Sequence, residues 1–161
     1  MPLFVWTNQM SVGVKLLNND HKKLVLLINQ LHDGLMAGRA KPALDRLFED
    51  LVSYTRVHHA NEEQLFVETG FQGSAAHMLE HDSTIERAVE LQLRFKSSEV
   101  FAAELEILHQ LREWLFRHIQ GSDQEFVSHF KVKGIDAILA ARETLNRMEP
   151  PKEPRVMQGI W

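Results

Sequence analysis

Histidine is the residue type through which this chain is best equipped to do chemistry. The sequence of 161 residues contains nine histidines and no cysteine. The absence of cysteine excludes disulfides, thiolate zinc sites, iron–sulfur clusters and thiol catalysis. Imidazole and carboxylate groups together form a ligand set suited to first-row transition metals. The composition therefore directs attention to histidines that share a helix face with a carboxylate.

Two pairs of potential ligands fall on stripes that are otherwise apolar. His58 with Glu62 and His77 with His81 are each four residues apart, so each pair shares one face of a helix. A buried Glu62 without a partner is costly, and these stripes contain no lysine or arginine to neutralise it. A cation from outside the chain is the simplest partner. A polar core without a metal stays open as the alternative.

The remaining histidines are expected to lie away from a buried site. His59 and Glu63 are about 100° from the buried stripe of their block, so we expect them at its flank. His109 and Glu113 fall on a wet face, where such a pair is an ordinary helix stabiliser. Two further histidines are expected to flank the interior without binding a metal, and these are His32 and His129.

Four amphipathic helical blocks must position these residues. We predict helices over about residues 20–37, 42–70 and 74–97, and a fourth that begins at Val100 and continues past His118. Asn18 and Asn19 are the predicted cap of the first block. Short loops favour antiparallel neighbours, so the fold class is all-α, an up-down-up-down antiparallel four-helix bundle. An irregular N-terminal arm, residues 1–17, precedes the bundle, and a short C-terminal fifth helix follows it at about Ile135 to Met148.

Apolar residues recur every three or four positions in each block, which defines the side expected to face the interior. The stripe of every block includes at least one histidine. For the fourth block, the predicted stripe consists of Val100, Ala103, Ile107, Leu111, Trp114 and His118. We assign residues 1–148 to one domain and residues 149–161 to a Pro-rich C-terminal tail.

Six motifs occur in order over about residues 3–132. They are Trp6, Val12-Gly13-Val14, Asp20-His21-Lys22-Lys23-Leu24, His58-x3-Glu62-Glu63, His77-x3-His81 and Trp114-Leu115-x2-His118-x4-Asp123. Together they resemble the hemerythrin family in its single-domain bacterial form. Myohemerythrin, a member of this family, is a known four-helix bundle, so the predicted fold has a precedent. The chain departs from the family pattern at Phe71-Gln72, where relatives often have Tyr-Pro, and at His59, which replaces a common aromatic residue.

The resemblance implies a non-haem di-iron centre that binds dioxygen. Two iron ions, as Fe2+ or Fe3+, would be joined by an oxo or hydroxo bridge. The ligands that the resemblance implies are His77, His81 and His118 for one iron, His21 and His58 for the other, and Glu62 and Asp123 as bridges between them. With octahedral irons, these seven residues and the oxo or hydroxo bridge leave a single position open, which suits one small diatomic ligand. In the family, residues at the positions of Leu111 and Trp114 would help to keep that pocket dry.

One spacing within this ligand set requires an irregular helix. His118 and Asp123 are five residues apart, which separates them by about 140° around an ideal α-helix. Both side chains must nevertheless face the same metals. We therefore predict a widened, π-like turn or a helix break there, with Gly121-Ser122 supplying the slack.

The function that the resemblance implies is reversible dioxygen binding by a carrier, store or sensor that is not an enzyme. Five neutral imidazoles provide less negative charge than the ligands of carboxylate-rich di-iron oxidases, which favours binding over oxygen activation. Two alternatives stay open. One is a di-iron enzyme that handles peroxide or nitrogen oxides, and the other is an iron- or oxygen-responsive signalling module.

The charge and hydropathy of the chain indicate which binding partners and which cellular location to expect. The net charge of −4, without a basic stripe, gives no support for nucleic acid or an anionic membrane as a partner. No apolar stretch approaches the length of a membrane span, and the N-terminus does not resemble a signal peptide, so we expect a cytoplasmic monomer. A protein partner is possible at the C-terminal tail, although packing of its apolar residues on the bundle is favoured. Those residues are Val156, Met157, Ile160 and Trp161.

Overall fold

A computed structural model describes residues 1–131, and in this part of the chain the protein is all α-helical apart from its connections and its N-terminal arm. The helices are α1 (Lys15–Met36), α2 (Lys41–Thr69), α3 (Ser74–Ser97), α4 (Phe101–His118) and α5 (Gln124–Lys131), with a π-helical turn at Ile119–Asp123 between the last two. Contacts join α1 to α2, α2 to α3, α3 to α4 and α1 to α4. This arrangement confirms the predicted four-helix bundle. The expected fifth helix at Ile135–Met148 and the tail at 149–161 lie outside the described residues.

Pro42, Gly70 and Gly38 mark three helix ends close to where the sequence predicts them. Pro42 lies in the first turn of α2, where its missing N–H removes no helical hydrogen bond. Gly70 ends the same helix with a φ of 64°, in the left-handed region that favours glycine. Gly38, with a φ of 65°, follows α1 in the same way. These short connections keep successive helices antiparallel.

The predicted start of the first helix is wrong by five residues, because Asn18 does not cap it. α1 begins at Lys15, and Asn18 lies inside its first turns. The Asn18 side chain instead accepts a hydrogen bond from the Val12 N–H at 2.9 Å and donates one to Ser11 Oγ at 2.8 Å. Its polar group therefore ties the preceding arm to the helix, and the arm is shorter than predicted, residues 1–14.

The N-terminal arm packs onto the bundle close to one of the predicted ligands. Asn29 accepts a hydrogen bond from the Phe4 N–H at 2.9 Å and donates one to the Phe4 carbonyl at 2.7 Å. Phe4, Met10, Val12 and Val14 of the arm are buried. Trp6 stacks on the ring of His21, with 6.4 Å between ring centroids. The arm is thus part of the core and covers the end of the bundle at which His21 lies.

The sequence predicts an interior stripe for the third block that consists of His77, His81, Thr84, Ala88, Leu91 and Phe95, and these six are the buried residues of α3. The stripe of the fourth block begins differently. At the start of α4, Val100 is 61% exposed and Ala103 is also exposed. Glu104 and Leu108 are buried in their place. The apolar pattern does not predict that Glu104 is buried, because this side chain is polar and is buried through its ion pair with Lys41.

The ion pair between Lys41 and Glu104 joins the start of α2 to α4. Lys41 Nζ donates to Glu104 Oε1 at 2.6 Å and to the carbonyl of Phe95, and it lies 3.9 Å from the centroid of the Phe95 ring. The Glu104 side chain is only 9% exposed. One ammonium group therefore contacts three groups from α3 and α4.

Replacing Glu104 by glutamine should lower the free energy of unfolding by about 1–3 kcal/mol, because a charge-assisted hydrogen bond in a partly dry site is lost. Urea denaturation of the purified protein measures this change. Glu106→Gln on the exposed face of the same helix is the matched control and should change stability by less than about 0.5 kcal/mol. Equal effects of the two variants would contradict the structural role of this ion pair.

Candidate metal centre

The seven residues predicted as ligands converge in the interior of the bundle, near the end that the N-terminal arm covers. Each is at most 5% exposed, and they come from α1, α2, α3, α4 and the π turn. Their ligand atoms form two groups, within each of which every atom lies within 4.8 Å of the others. One group contains Glu62, His77, His81, His118 and Asp123, and the other contains His21, His58, Glu62 and Asp123. Glu62 and Asp123 belong to both groups, which is the arrangement that two bridging carboxylates would have.

Asp123 contacts histidines of both groups. Its Oδ2 lies 2.9 Å from Nε2 of His21, and its Oδ1 lies 3.2 Å from Nε2 of His77. His118 Nε2 is 2.9 Å from the same Oδ1. The two carboxylate oxygens therefore face two different sets of imidazoles, as a bridging carboxylate must.

Glu62 takes the matching position on α2. Its Oε2 lies 3.0 Å from Nε2 of His81 and 3.7 Å from Nε2 of both His58 and His77. Its Oε1 is buried and has no hydrogen-bond partner. His58 Nε2 and His118 Nε2 are likewise buried without a hydrogen bond of acceptable geometry. Buried polar atoms of this kind are costly unless a cation satisfies them, so the donor set fits a metal pair.

The two buried carboxylates of the cluster differ in how their charge is compensated. Burial, together with the charge of Asp123, raises the pKa of Glu62 well above its usual value. For Asp123, burial opposes ionisation, but the charge and close contact of His118 and the hydrogen bond with His21 hold its pKa well below the usual value. One carboxylate of the pair is thus compensated by imidazoles and the other is not. A bound cation is the compensation that Glu62 lacks.

Burial alone would lower the pKa values of His58 and His118, but the neighbouring carboxylates outweigh it. The charge of Glu62, the contact with Asp123 and the hydrogen bond to Asp20 raise the pKa of His58 to about 10. The charge and contact of Asp123, and the hydrogen bond to Glu80, raise the pKa of His118 to about 10. His21 behaves differently, because burial lowers its pKa despite the hydrogen bond to Asp123.

The predicted irregularity between His118 and Asp123 is a π-helical turn, which confirms that expectation. The turn spans Ile119–Asp123, and Asp123 is 0% exposed. A single π turn takes up about one extra residue, so two side chains five positions apart reach the same face. The glycine is not needed for this conformation. Gly121 has no positive φ, and a Cβ added there would meet no atom within 4 Å.

Three carboxylates outside the predicted set contact the other ring nitrogens of the histidines. Asp20 Oδ2 lies 3.5 Å from Nδ1 of His58, and Glu63 Oε1 lies 2.9 Å from Nδ1 of His81. Glu80 Oε1 lies 2.8 Å from Nδ1 of His118. The hydrogen bond from His118 lowers the pKa of Glu80 to about 2. Such partners fix the tautomer and orientation of a ligand imidazole, so its Nε2 points into the site.

Sequence reasoning missed these three roles, although weak signals existed. Asp20 and Glu63 adjoin ligands in the quoted motifs, and Glu80 directly precedes His81. Adjacent residues lie about 100° apart on a helix, so an apolar stripe cannot show that they contact a histidine of another helix. Only the packing of α1, α2 and α3 around the cluster makes those contacts visible.

The prediction for His59 is wrong. We expected it at the flank of the helix, but it is 4% exposed, and its ring stacks parallel to that of His81 with 3.8 Å between centroids. Burial and the charge of His81 lower the pKa of His59 to about 2, so it is neutral. The side of α2 next to the predicted stripe faces α3 and is therefore also interior. The three other histidines lie outside both ligand groups and are His32, His109 and His129.

Asp20 is held by a hydrogen-bond network that can be tested through Tyr54, which is the single tyrosine of the chain. Tyr54 Oη and Asn61 Nδ2 both donate to Asp20 at 2.8 Å. Burial and the hydrogen bond to Asp20 raise the pKa of Tyr54 to about 12.

Titration of tyrosinate absorbance in the folded protein should therefore show a midpoint near 12, well above the usual 10. A raised pKa means that this hydrogen bond stabilises the fold fully below pH 10 and that the contribution is lost as the pH rises through 12. In Asp20→Asn the charge is removed, so the midpoint should move towards 10. An unchanged midpoint in that variant would show that Asp20 is not the partner of Tyr54.

The fold and this cluster define the class of protein. It is a four-helix bundle that encloses a cluster of histidines and carboxylates able to bind metal ions. A family model described as the hemerythrin HHE cation binding domain matches residues 12–130. The chain belongs to the hemerythrin family. This result confirms the resemblance seen in the sequence motifs.

Individual relatives agree with this assignment. The chain is 38% identical over 127 residues to a bacteriohemerythrin of Pseudomonas aeruginosa, with 79% of this chain and 81% of the relative covered. It is 33% identical over 131 residues to a bacteriohemerythrin of Stenotrophomonas maltophilia, covering 81% and 84% of the two chains. A crystal structure of wild-type hemerythrin superposes with a TM-score of 0.70 at 26% identity, covering 78% of this chain and 96% of that one. Residues 1–131 contain no helix with the length and apolar content of a membrane span.

Proposed function

We propose that the protein binds dioxygen reversibly at a non-haem di-iron centre. His77, His81 and His118 would hold one iron, His21 and His58 would hold the other, and Glu62 and Asp123 would bridge them. When bound there, an iron pair would supply the two electrons that dioxygen needs in order to bind reversibly. The observation that carries this proposal is the division of seven buried ligands into two groups that share both carboxylates.

An apolar cavity next to the cluster supports a gas as the ligand. The cavity measures about 10 Å³, about the room that one water-sized molecule needs. Except for Thr55, its lining is apolar, and it includes Leu24, Leu111, Trp114 and Leu115. Leu24, Thr55 and Leu115 are each three residues from a proposed ligand, so the cavity lies about one helical turn from the metals. Such a dry, small space suits a diatomic molecule and excludes an organic substrate.

The ligand composition supports binding over catalysis. The cluster offers five imidazoles and two carboxylates. The di-iron carboxylate proteins of other four-helix bundles use a Glu from each of two helices and a Glu-x-x-His motif from each of the others. The lower anionic charge of this cluster gives less support to high-valent iron. We therefore infer a carrier, store or sensor in which Leu111 and Trp114 keep water away from the site.

Iron quantification combined with repeated oxygenation tests this proposal. The purified protein, loaded anaerobically with Fe2+, should contain about two irons per chain and be colourless. Exposure to oxygen should produce a visible charge-transfer band, and purging with inert gas should remove it over many cycles. A protein that holds no iron pair would refute the di-iron centre. One-way oxidation with turnover of peroxide or nitric oxide would refute reversible binding and favour an enzyme.

A further inference from the structure

The π turn that carries Asp123 requires stabilisation from outside its own sequence. π-helical turns are rare and less favourable than α-helix, and they occur mainly as single turns at functional sites. Gly121 does not supply a special backbone conformation, since its φ is not positive and the space around it is open. Contacts from another element must therefore hold the turn in this form.

Glu80 of α3 makes those contacts. Its Oε1 accepts a hydrogen bond from Nδ1 of His118, at 2.8 Å, and its Oε2 accepts one from the hydroxyl of Ser122. His118 is the residue before the turn, and Ser122 adjoins Asp123 within it. One carboxylate thus bridges the two ends of the π turn. The Glu80 side chain itself is 42% exposed, so it lies at the rim of the buried cluster.

We propose that Glu80 is a positioning residue that holds the π turn so that Asp123 faces both groups of histidines. This inference rests on the proposed function, because the direction of Asp123 matters for binding a metal pair. Glu63 provides a natural comparison within the same chain. It accepts a hydrogen bond from Nδ1 of His81 in the same way, but that histidine lies in the regular helix α3. Glu63 should therefore orient one imidazole without holding a turn.

Two measurements on the full chain separate these roles. The first is backbone amide exchange of residues 119–123 in the metal-free protein, and the second is affinity for Co2+ as an air-stable probe. Glu80→Ala should exchange about tenfold faster in the turn, because a charge-assisted hydrogen bond is lost. It should also bind Co2+ about 10–100-fold more weakly. Glu63→Ala should weaken Co2+ binding without faster exchange in the turn, and Gly121→Ala should change neither.

Conservative variants guard against a change that merely disturbs folding. Glu80→Gln keeps a hydrogen-bond acceptor for His118 and a donor for Ser122, so it should restore slow exchange in the turn. Ser122→Ala removes one of the two contacts and should give an intermediate rate. Exchange in Glu80→Ala equal to that of the wild type would overturn the inference, even if the wild type binds two irons. Failure of the wild type to bind a metal pair would instead overturn the proposed function and leave the exchange result standing.

Discussion

Glu62→Gln should abolish binding of the iron pair and, at the same time, make the metal-free protein more stable at neutral pH. The Glu62 carboxylate belongs to both ligand groups and is completely buried. An amide is a poor metal ligand and cannot bridge two cations as an anion does. Iron content should therefore fall from about two ions per chain to about one or none. Elemental analysis of protein loaded anaerobically with Fe2+ measures this loss.

The metal-free protein should become more stable even though iron binding is lost, because burial and the charge of Asp123 raise the pKa of Glu62. Above the usual pKa of 4.5, the unfolded chain loses its proton readily while the folded, metal-free chain resists doing so. Ionisation therefore opposes folding at pH 7, and glutamine removes that opposition. Below 4.5 both states are protonated, so the gain should vanish there. Urea unfolding of the metal-free protein at about pH 4 and pH 7 measures the two values.

Glu49→Gln, on the exposed face of the same helix, is the matched control. It should change neither the iron content nor the pH dependence of stability. Two irons retained in Glu62→Gln would show that Glu62 does not bridge. A metal-free Glu62→Gln variant that is less stable than the wild type would show that its carboxylate is already compensated within the chain.

Six of the seven proposed ligands lie on stripes that the sequence predicts to be interior, whereas Asp123 enters only through the resemblance to the hemerythrin family. The interval of five between His118 and Asp123 even predicts the π turn that the structure contains at Ile119–Asp123. Their role as metal ligands stays a prediction, which the iron measurements test. Helical periodicity succeeds here because burial of one face of each helix is the dominant constraint in a bundle.

Features that depend on contacts between helices were not predictable in this way. Asn18 has the residue type of a helix cap, yet its amide binds the arm because α1 begins earlier. Glu104 interrupts an apolar stripe because Lys41 of another helix neutralises it. His59 lies beside the stripe, but α3 packs over that side of α2 and encloses it. For Glu104 and His59 the partner is distant in sequence, and for Asn18 it lies in the preceding arm. The apolar pattern of a single helix identifies none of these partners.

Loading the metal-free protein at pH 7 should release protons, because two proposed ligands are protonated before the metal arrives. The pKa values of His58 and His118 are raised to about 10, whereas a histidine must be neutral to bind a metal. About two protons per chain should therefore be displaced from these histidines. Each displaced proton makes the apparent affinity rise about tenfold per pH unit below the pKa. A pH indicator in weakly buffered solution, titrated with Co2+, measures the release directly.

The same pKa values make the stability of the metal-free protein change with pH in the opposite direction to metal affinity. A histidine with a raised pKa stabilises the fold fully below 6.5, and the contribution is lost as the pH rises through about 10. Metal-free stability should therefore decline over the range in which metal affinity increases.

Two ligand variants test the source of the protons. His118→Gln should release about one proton fewer than the wild type, since a group with a raised pKa is gone. His21→Gln should weaken Co2+ binding without reducing proton release, because burial lowers the pKa of His21 and leaves it neutral beforehand. Release of no protons by the wild type would show that His58 and His118 are already neutral before the metal arrives.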